Sequence, residues 1–177
     1  MIVNNNIFKK FPEIELFEFP EKHDERGSFV KTFSREDFPP NSFNFDEIYY
    51  SISKKNVIRG IHYQIKPIGL EKLVTCIEGE IKDFVIDLRK ESKTYLNFET
   101  IKLTKNMGIF VPYGFGHGFS ALSDNTKVLY CQEGKYSPQY EGGINPLSID
   151  VDWEVETPIL SERDSQLPSI DSYKPEL

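Results

Sequence analysis

The run Arg59-Gly-Ile-His62-Tyr-Gln64 places a guanidinium and an imidazole three residues apart in a stretch that reads as a strand. Downstream stand Lys72 in Glu-Lys-Leu-Val, His117 in Pro112-Tyr-Gly-Phe-Gly-His-Gly-Phe119, Tyr130 at the end of a short apolar run, and Asp164 in Leu-Ser-Glu-Arg-Asp. Base, cation, phenol and carboxylate in one small chain point to proton-transfer chemistry rather than a bare scaffold. Each also has a plainer reading. A lone histidine in an apolar strand is more often a hydrogen-bonded structural residue, Arg59 and Lys72 read equally as solvated charges, and Tyr130 as a core aromatic. Asp164, in a Ser-x-x-Asp setting, reads equally as a helix start. His23, within Glu-Lys-His-Asp-Glu, reads as an exposed loop residue.

The elements that must position these groups are short and strand-like. Leu73–Ile77, then Glu78-Gly79, then Glu80–Leu88 reads as a hairpin whose second arm carries apolar residues on both faces, as a strand buried on both sides would. Phe98–Leu103, Gly108–Pro112 and Thr126–Cys131 are further strand candidates, joined by Gly, Pro, Asn and Asp turns in the manner of a sandwich or barrel. Helical periodicity is weak, with 35–38 the best candidate for a single turn, and the Pro- and Ser-rich tail after Trp153 reads as an irregular strap. With 177 residues, no internal repeat and no linker, residues 1–177 are expected to form one domain with a core that needs no disulfide staples.

Composition excludes several classes. A net charge of -7 without a basic stripe argues against a nucleic-acid partner, leaving room for an anionic small ligand held by a few placed cations. No apolar run spans a membrane, and the first residues lack a basic segment followed by an apolar block, so a cytoplasmic location is expected. Cys76 and Cys131 lie in apolar runs without Cys-x-x-Cys spacing and read as buried thiols. No His-x-His pair exists, position 64 is Gln, and Lys72 brings a positive charge, so no metal is expected; neither is a nucleotide cofactor, since no Gly-rich loop or Rossmann fingerprint occurs.

Taken in order, Asp24-Glu-Arg26-Gly with Phe29, Ser51, Arg59-Gly-Ile-His-Tyr-Gln64, Lys72-Leu-Val, Glu78-Gly, Asp87-Leu-Arg-Lys-Glu-Ser92, Pro112-x-Gly-x-x-His-Gly-Phe119, Tyr130, Tyr136-Ser-Pro, Glu141-Gly and Leu160-Ser-x-x-Asp164 run nearly the length of the chain. In these motifs it resembles the dTDP-4-dehydrorhamnose 3,5-epimerase family. The resemblance implies an all-β, cupin-type jelly roll of two antiparallel sheets with a few short helical turns. It also implies a homodimer that shares N-terminal strands, and a nucleotide-diphosphate-linked 4-keto sugar as substrate.

A 4-keto group acidifies the hydrogens on the adjacent carbons, so inversion needs a base on one face, an acid on the other and a donor for the enolate oxygen. His62 is the natural base, with Asp164 fixing its tautomer and supporting the cation; Lys72 holds the enolate oxygen, and Tyr130 returns the proton. The resemblance assigns these four positions the same roles. For binding, Arg59 suits a pyrophosphate, His117 and Phe119 a sugar or diphosphate pocket, and Arg26, Gln64 and Ser51 are supporting candidates.

Three positions depart from the pattern on the nucleotide side. Glu47 and Tyr49 stand where the family usually reads Gln-x-Asn before Ser51, and Lys31 replaces an expected Glu. The Trp-Asn-Asp-Pro tract is shortened to Ile144-Asn-Pro146. These changes leave the proton-transfer residues in place while altering the carrier side, which makes a GDP-linked 4-keto sugar, a heptose for a surface polysaccharide included, a substrate hypothesis beside dTDP. Two other readings stand: a ketoisomerase of the same fold, and a non-catalytic sugar-nucleotide-binding cupin.

Overall fold

Alternating apolar and polar residues in short segments, broken at Gly, Asn and Asp, build two facing antiparallel sheets in this computed structural model, which describes residues 2–4, 7–34, 36 and 44–174. In chain order the strands are β1 (Ile2–Asn4), β2 (Glu15–Glu18), β3 (Glu21–Asp24), β4 (Gly27–Val30), β5 (Glu47–Ser53), β6 (Ile58–Gln64) and β7 (Glu71–Glu78). They continue as β8 (Glu80–Asp87), β9 (Phe98–Thr104), β10 (Met107–Val111), β11 (Phe115–Ala121), β12 (Thr126–Glu133) and β13 (Glu141–Gly143), followed by the one-turn helix α1 (Glu162–Ser165), with short 3-10 turns at Pro138–Tyr140, Pro146–Ser148 and Ile170–Ser172. One sheet runs β1-β2-β10-β7-β12-β5 and the other β13-β6-β11-β8-β9, with β3-β4 as a separate hairpin. The fold is the all-β jelly roll that the motifs imply. The 35–38 turn, apart from Glu36, lies outside the described residues.

The hairpin expected around Glu78-Gly79 does not form. β7 pairs with β10 and β12 in the six-stranded sheet, whereas β8 pairs with β11 and β9 in the other. The chain turns a corner at Gly79, whose φ is +84° and where a Cβ would come within 2.6 Å of Ser123 Oγ and Thr126 Oγ1. The physical reason lies in the apolar residues on both faces of these segments. A strand that must be covered on both faces gains more as an interior strand of a packed sheet than in a two-stranded ribbon.

Between the sheets, Leu16, Val74, Ile109 and Val128 of one layer meet Ile81, Val85, Leu103 and Phe119 of the other. Each such side chain stabilises the fold by about 1.5–3 kcal/mol relative to exposure. A second cluster of Ile58, Phe84, Ile86, Leu88, Ile144 and Trp153 is closed by Val155, Ile170 and Tyr173 of the tail. The tail is therefore the strap expected, and Ile159 pairs with Val57 as the chain passes toward α1. Cys76 and Cys131 are buried thiols in separate clusters, not joined in a disulfide, and burial pushes the Cys76 thiol up to about 12.

Candidate active site

His62 of β6 lies opposite His117 of β11, and Arg59 lies opposite Phe119, so three steps along β6 match two along β11. The extra residue is taken up at Gly60, whose φ is +109° and where a Cβ would sit 2.7 Å from both the Gly118 Cα and the His117 carbonyl. Strict alternation would send Arg59 and His62 to opposite faces; the bulge resets it. Both side chains line one cavity of about 710 Å³. The five-stranded sheet adds Gln64, His117 and Phe119 to its wall, while the six-stranded sheet supplies Glu47, Tyr49, Lys72, Tyr130 and Gln132.

Asp164 reaches this cavity from α1. Its backbone N–H donates to the Ser161 hydroxyl at 3.0 Å, an N-cap that fixes the turn, and its carboxylate Oδ1 lies 2.7 Å from His62 Nε2. The two readings of Ser-x-x-Asp are thus one: the helix start delivers the carboxylate. Oδ2 takes a longer bond of 3.4 Å from the Gly60 amide. Burial opposes the carboxylate, but hydrogen bonding and charge at His62, with the Gly60 and Ser161 contacts, outweigh it and hold Asp164 below the usual carboxylate range. An acceptor-only carboxylate places the imidazole proton on Nε2 and leaves Nδ1 as the basic nitrogen.

Across the cavity, on the six-stranded sheet, Tyr130 is 8% exposed. Burial raises its phenol above the ordinary range; the neighbouring Ser51 hydroxyl and Arg59 offset part of this, so the group stays protonated and able to donate. Lys72 is pushed down to about 8 by burial, against the opposing pull of Asp83 and Glu141. Arg59 is anchored through Nε to Ser53 Oγ at 3.0 Å and through Nη2 to the Ile52 carbonyl at 3.1 Å, which leaves further guanidinium donors for an anion. Gln64 is 5% exposed; its Oε1 accepts from the Ser137 amide, while its buried Nε2 has no partner among the described residues.

Ten of the thirteen residues singled out from sequence line this cavity. Ser51 stands behind Tyr130 rather than on the wall. Arg26 sits on the turn between β3 and β4, is paired with Asp24 at 2.6 Å, and does not line the cavity of its own chain. Lys31 lies beside Phe29 and Phe33 at a separate, smaller hollow.

The structure also adds residues that sequence reasoning missed. Asp83, fully buried, accepts from or donates to His117 Nε2 at 2.8 Å. Burial pushes that imidazole down and that carboxyl up, so charge is disfavoured on both partners. A signal existed: Asp83 shares its strand face with Ile81 and Val85, where a carboxylate needs a partner. Arg163 pairs with Glu141 at 2.6 Å, and the Tyr136 hydroxyl donates to the same carboxylate at 2.5 Å. Tyr136 and Glu141 stand in motifs that carry the resemblance, but nothing local in their segments points to the cavity. Among the described residues, no three or more His, Cys, Asp or Glu side chains are grouped so as to hold a metal ion.

A jelly roll whose cavity sets an Asp-supported imidazole on one sheet against a protonated phenol and a lysine on the other is arranged for proton transfer at the two faces of a bound molecule, as in an isomerase. Comparison with known proteins narrows this. The family model for dTDP-4-dehydrorhamnose 3,5-epimerase matches residues 9–172, and the chain belongs to that family: it is an epimerase. It is 35% identical over 167 residues to the dTDP-4-dehydrorhamnose 3,5-epimerase of Shigella flexneri, covering 90% of this chain and 92% of the relative. Among solved structures, the dTDP-6-deoxy-D-glucose-3,5-epimerase of Legionella pneumophila, in complex with dTDP-4-keto-L-rhamnose, superposes with a TM-score of 0.89 at 28% identity over 98% of this chain and 94% of that one. ChmJ, a 3'-monoepimerase from Streptomyces bikiniensis in complex with dTDP-quinovose, superposes with a TM-score of 0.79 at 28% identity over 90% and 84% of the two chains.

Proposed function

We propose that the protein inverts one or both carbons flanking the keto group of a nucleoside-diphosphate-linked 4-keto-6-deoxy sugar. The observation that carries this is the placement of His62 and Tyr130 on facing sheets of one cavity. His62 takes the carbon-bound hydrogen as a proton, and the electron pair moves into the carbonyl to give an enolate. Lys72 stabilises that oxygen, and Tyr130 donates its hydroxyl proton to the opposite face of the carbon. Imidazolium and phenolate then return to rest through solvent, with no net oxidation. Arg59 and Gln64 Nε2, which has no partner among the described residues, are the donors for the phosphates and sugar hydroxyls.

The relatives are named for dTDP sugars, which makes dTDP the first carrier to test. One observation favours a guanine carrier as a second reading. Among the described residues Glu47 holds only long bonds of 3.3 Å, from Gln132 Nε2 and the Tyr136 amide, so its carboxylate retains acceptor capacity. Guanine offers two adjacent donors to such a group, whereas thymine offers one N–H between two oxygens. Proton NMR in deuterated water, with dTDP- and GDP-linked 4-keto sugars and a His62→Asn control, tests both readings. Loss of the C3 or C5 signal only with the active protein identifies the centres and ranks the carriers. A carbonyl that moves along the ring marks a ketoisomerase, and binding without exchange marks a non-catalytic cupin.

The assembly reading is a homodimer. Ile48, Tyr50 and Ile52 form an exposed apolar stripe on the edge strand β5, and Arg26 and Phe29 stand exposed on the β3-β4 hairpin. A second copy that covers the stripe and shares N-terminal strands brings Arg26 toward the partner's cavity, a position its own chain does not give it.

A further inference from the structure

Tyr49 and Tyr130 are direct cross-strand partners on β5 and β12. Their rings stack with centroids 4.9 Å apart and planes 17° apart. The outer ring is itself held, because the Tyr49 hydroxyl donates to Gln132 Oε1 at 2.8 Å, and Gln132 in turn donates to Glu47 and to the Gly134 carbonyl. Tyr49 is 43% exposed while Tyr130 is 8% exposed, so one ring forms a cover over the other. A phenol that must hand a proton to one face of a planar enolate depends on the direction of its ring, and a free aromatic ring on an edge-adjacent strand has alternative rotamers.

We infer that Tyr49 is a positioning residue that pins the Tyr130 ring through stacking, so that an enolate formed by His62 is reprotonated from the Tyr130 face rather than returned from the His62 face. This rests on the epimerase reading. Every enolate has two fates: inversion, with the proton from Tyr130, or return with retention, with a proton from the His62 imidazolium. In deuterated water the second fate appears as deuterium in the unconverted substrate once the His62 imidazolium, whose side chain is 30% exposed, has exchanged the abstracted proton with solvent before returning it. The Tyr49–Tyr130 stack therefore sets a ratio, not merely a rate, and the ratio is what fold damage alone leaves unmoved.

The test is initial-rate NMR and mass analysis in deuterated water, comparing deuterium in retained substrate with deuterium in inverted product. Tyr49→Leu removes the ring, and Tyr49→Thr does the same with a small, β-branched polar group suited to a half-exposed edge strand. Both are expected to raise the retained-to-inverted ratio by roughly 2- to 12-fold, the range that an aromatic pair contributes. Tyr49→Phe keeps the stack and loses only the Gln132 bond, and is expected to stay within about twofold of the unaltered chain. Inversion and exchange falling together, with the ratio unchanged in whichever ring-deleted variant folds, would overturn the proposal while leaving the epimerase reading intact. An unaltered chain that exchanges no ring hydrogen of any 4-keto sugar would overturn both.

Discussion

Lys72 carries the sharpest quantitative consequence of the site. A lysine that stabilises an enolate oxygen must be an ammonium, yet burial pushes Lys72 down to about 8 from an ordinary value of 10.5. The sign follows directly: a lowered lysine loses its proton earlier as pH rises. With a value of about 8, the ammonium fraction falls from about nine-tenths at pH 7 to about one-tenth at pH 9. An ordinary amine would remain almost fully charged over the same interval. The expected result is a kcat/KM that drops about tenfold between pH 7 and pH 9, since this quantity reports the free enzyme. Tyr130 does not produce this limb, because its raised phenol stays protonated there. Two variants locate the limb. Lys72→Arg keeps a cation at all accessible pH values and moves the fall beyond pH 10, at the cost of a lower plateau from the bulkier head group. Glu141→Gln removes a charge that holds Lys72 up, so the limb moves to lower pH. A profile flat to pH 10, or a limb that stays at pH 8 in Lys72→Arg, would refute the assignment of the charged form of Lys72 to the rate.

Other perturbations separate the remaining parts. Asp164→Asn removes a charge-assisted bond of 2.7 Å to His62, worth about 1.5–3 kcal/mol, so kcat for both exchange and inversion should fall about 10- to 150-fold with little change in KM. Gly60→Ala places a Cβ 2.7 Å from the neighbouring backbone at a φ of +109°; thermal unfolding should report a loss of about 1–3 kcal/mol or more, together with lost activity from misdirected Arg59 and His62. Ile52→Asp puts a carboxylate in the exposed stripe on β5 and should shift the mass seen by light scattering from two copies to one without lowering the monomer's stability; an unchanged mass would place the interface elsewhere.

What could be read from the chain, and what could not, divides along a physical line. Short β-prone runs bounded by turn residues locate β9, β10 and β12 within a residue or two, because the turn chemistry at their ends is local. The same pattern misleads at Gly79, because a segment apolar on both faces does not say which neighbours it takes, and the corner between two sheets looks locally like a hairpin turn. The same limit governs the site. His62, Lys72, Tyr130 and Asp164 were legible as residue types in order, yet no spacing in the sequence says that His62 and Tyr130 face each other from different sheets. That relation exists only once β6 and β12 are assigned to opposite layers. Arg59 and His62 are the instructive pair: their spacing of three predicts opposite faces for a regular strand, and only the close approach of Gly60 to Gly118 turns both into one cavity. The glycine in Arg-Gly-x-His is therefore part of the chemistry. It carries no functional group, but it sets the strand parity that brings Arg59 and His62, the proposed phosphate-binding cation and base, to the same cavity.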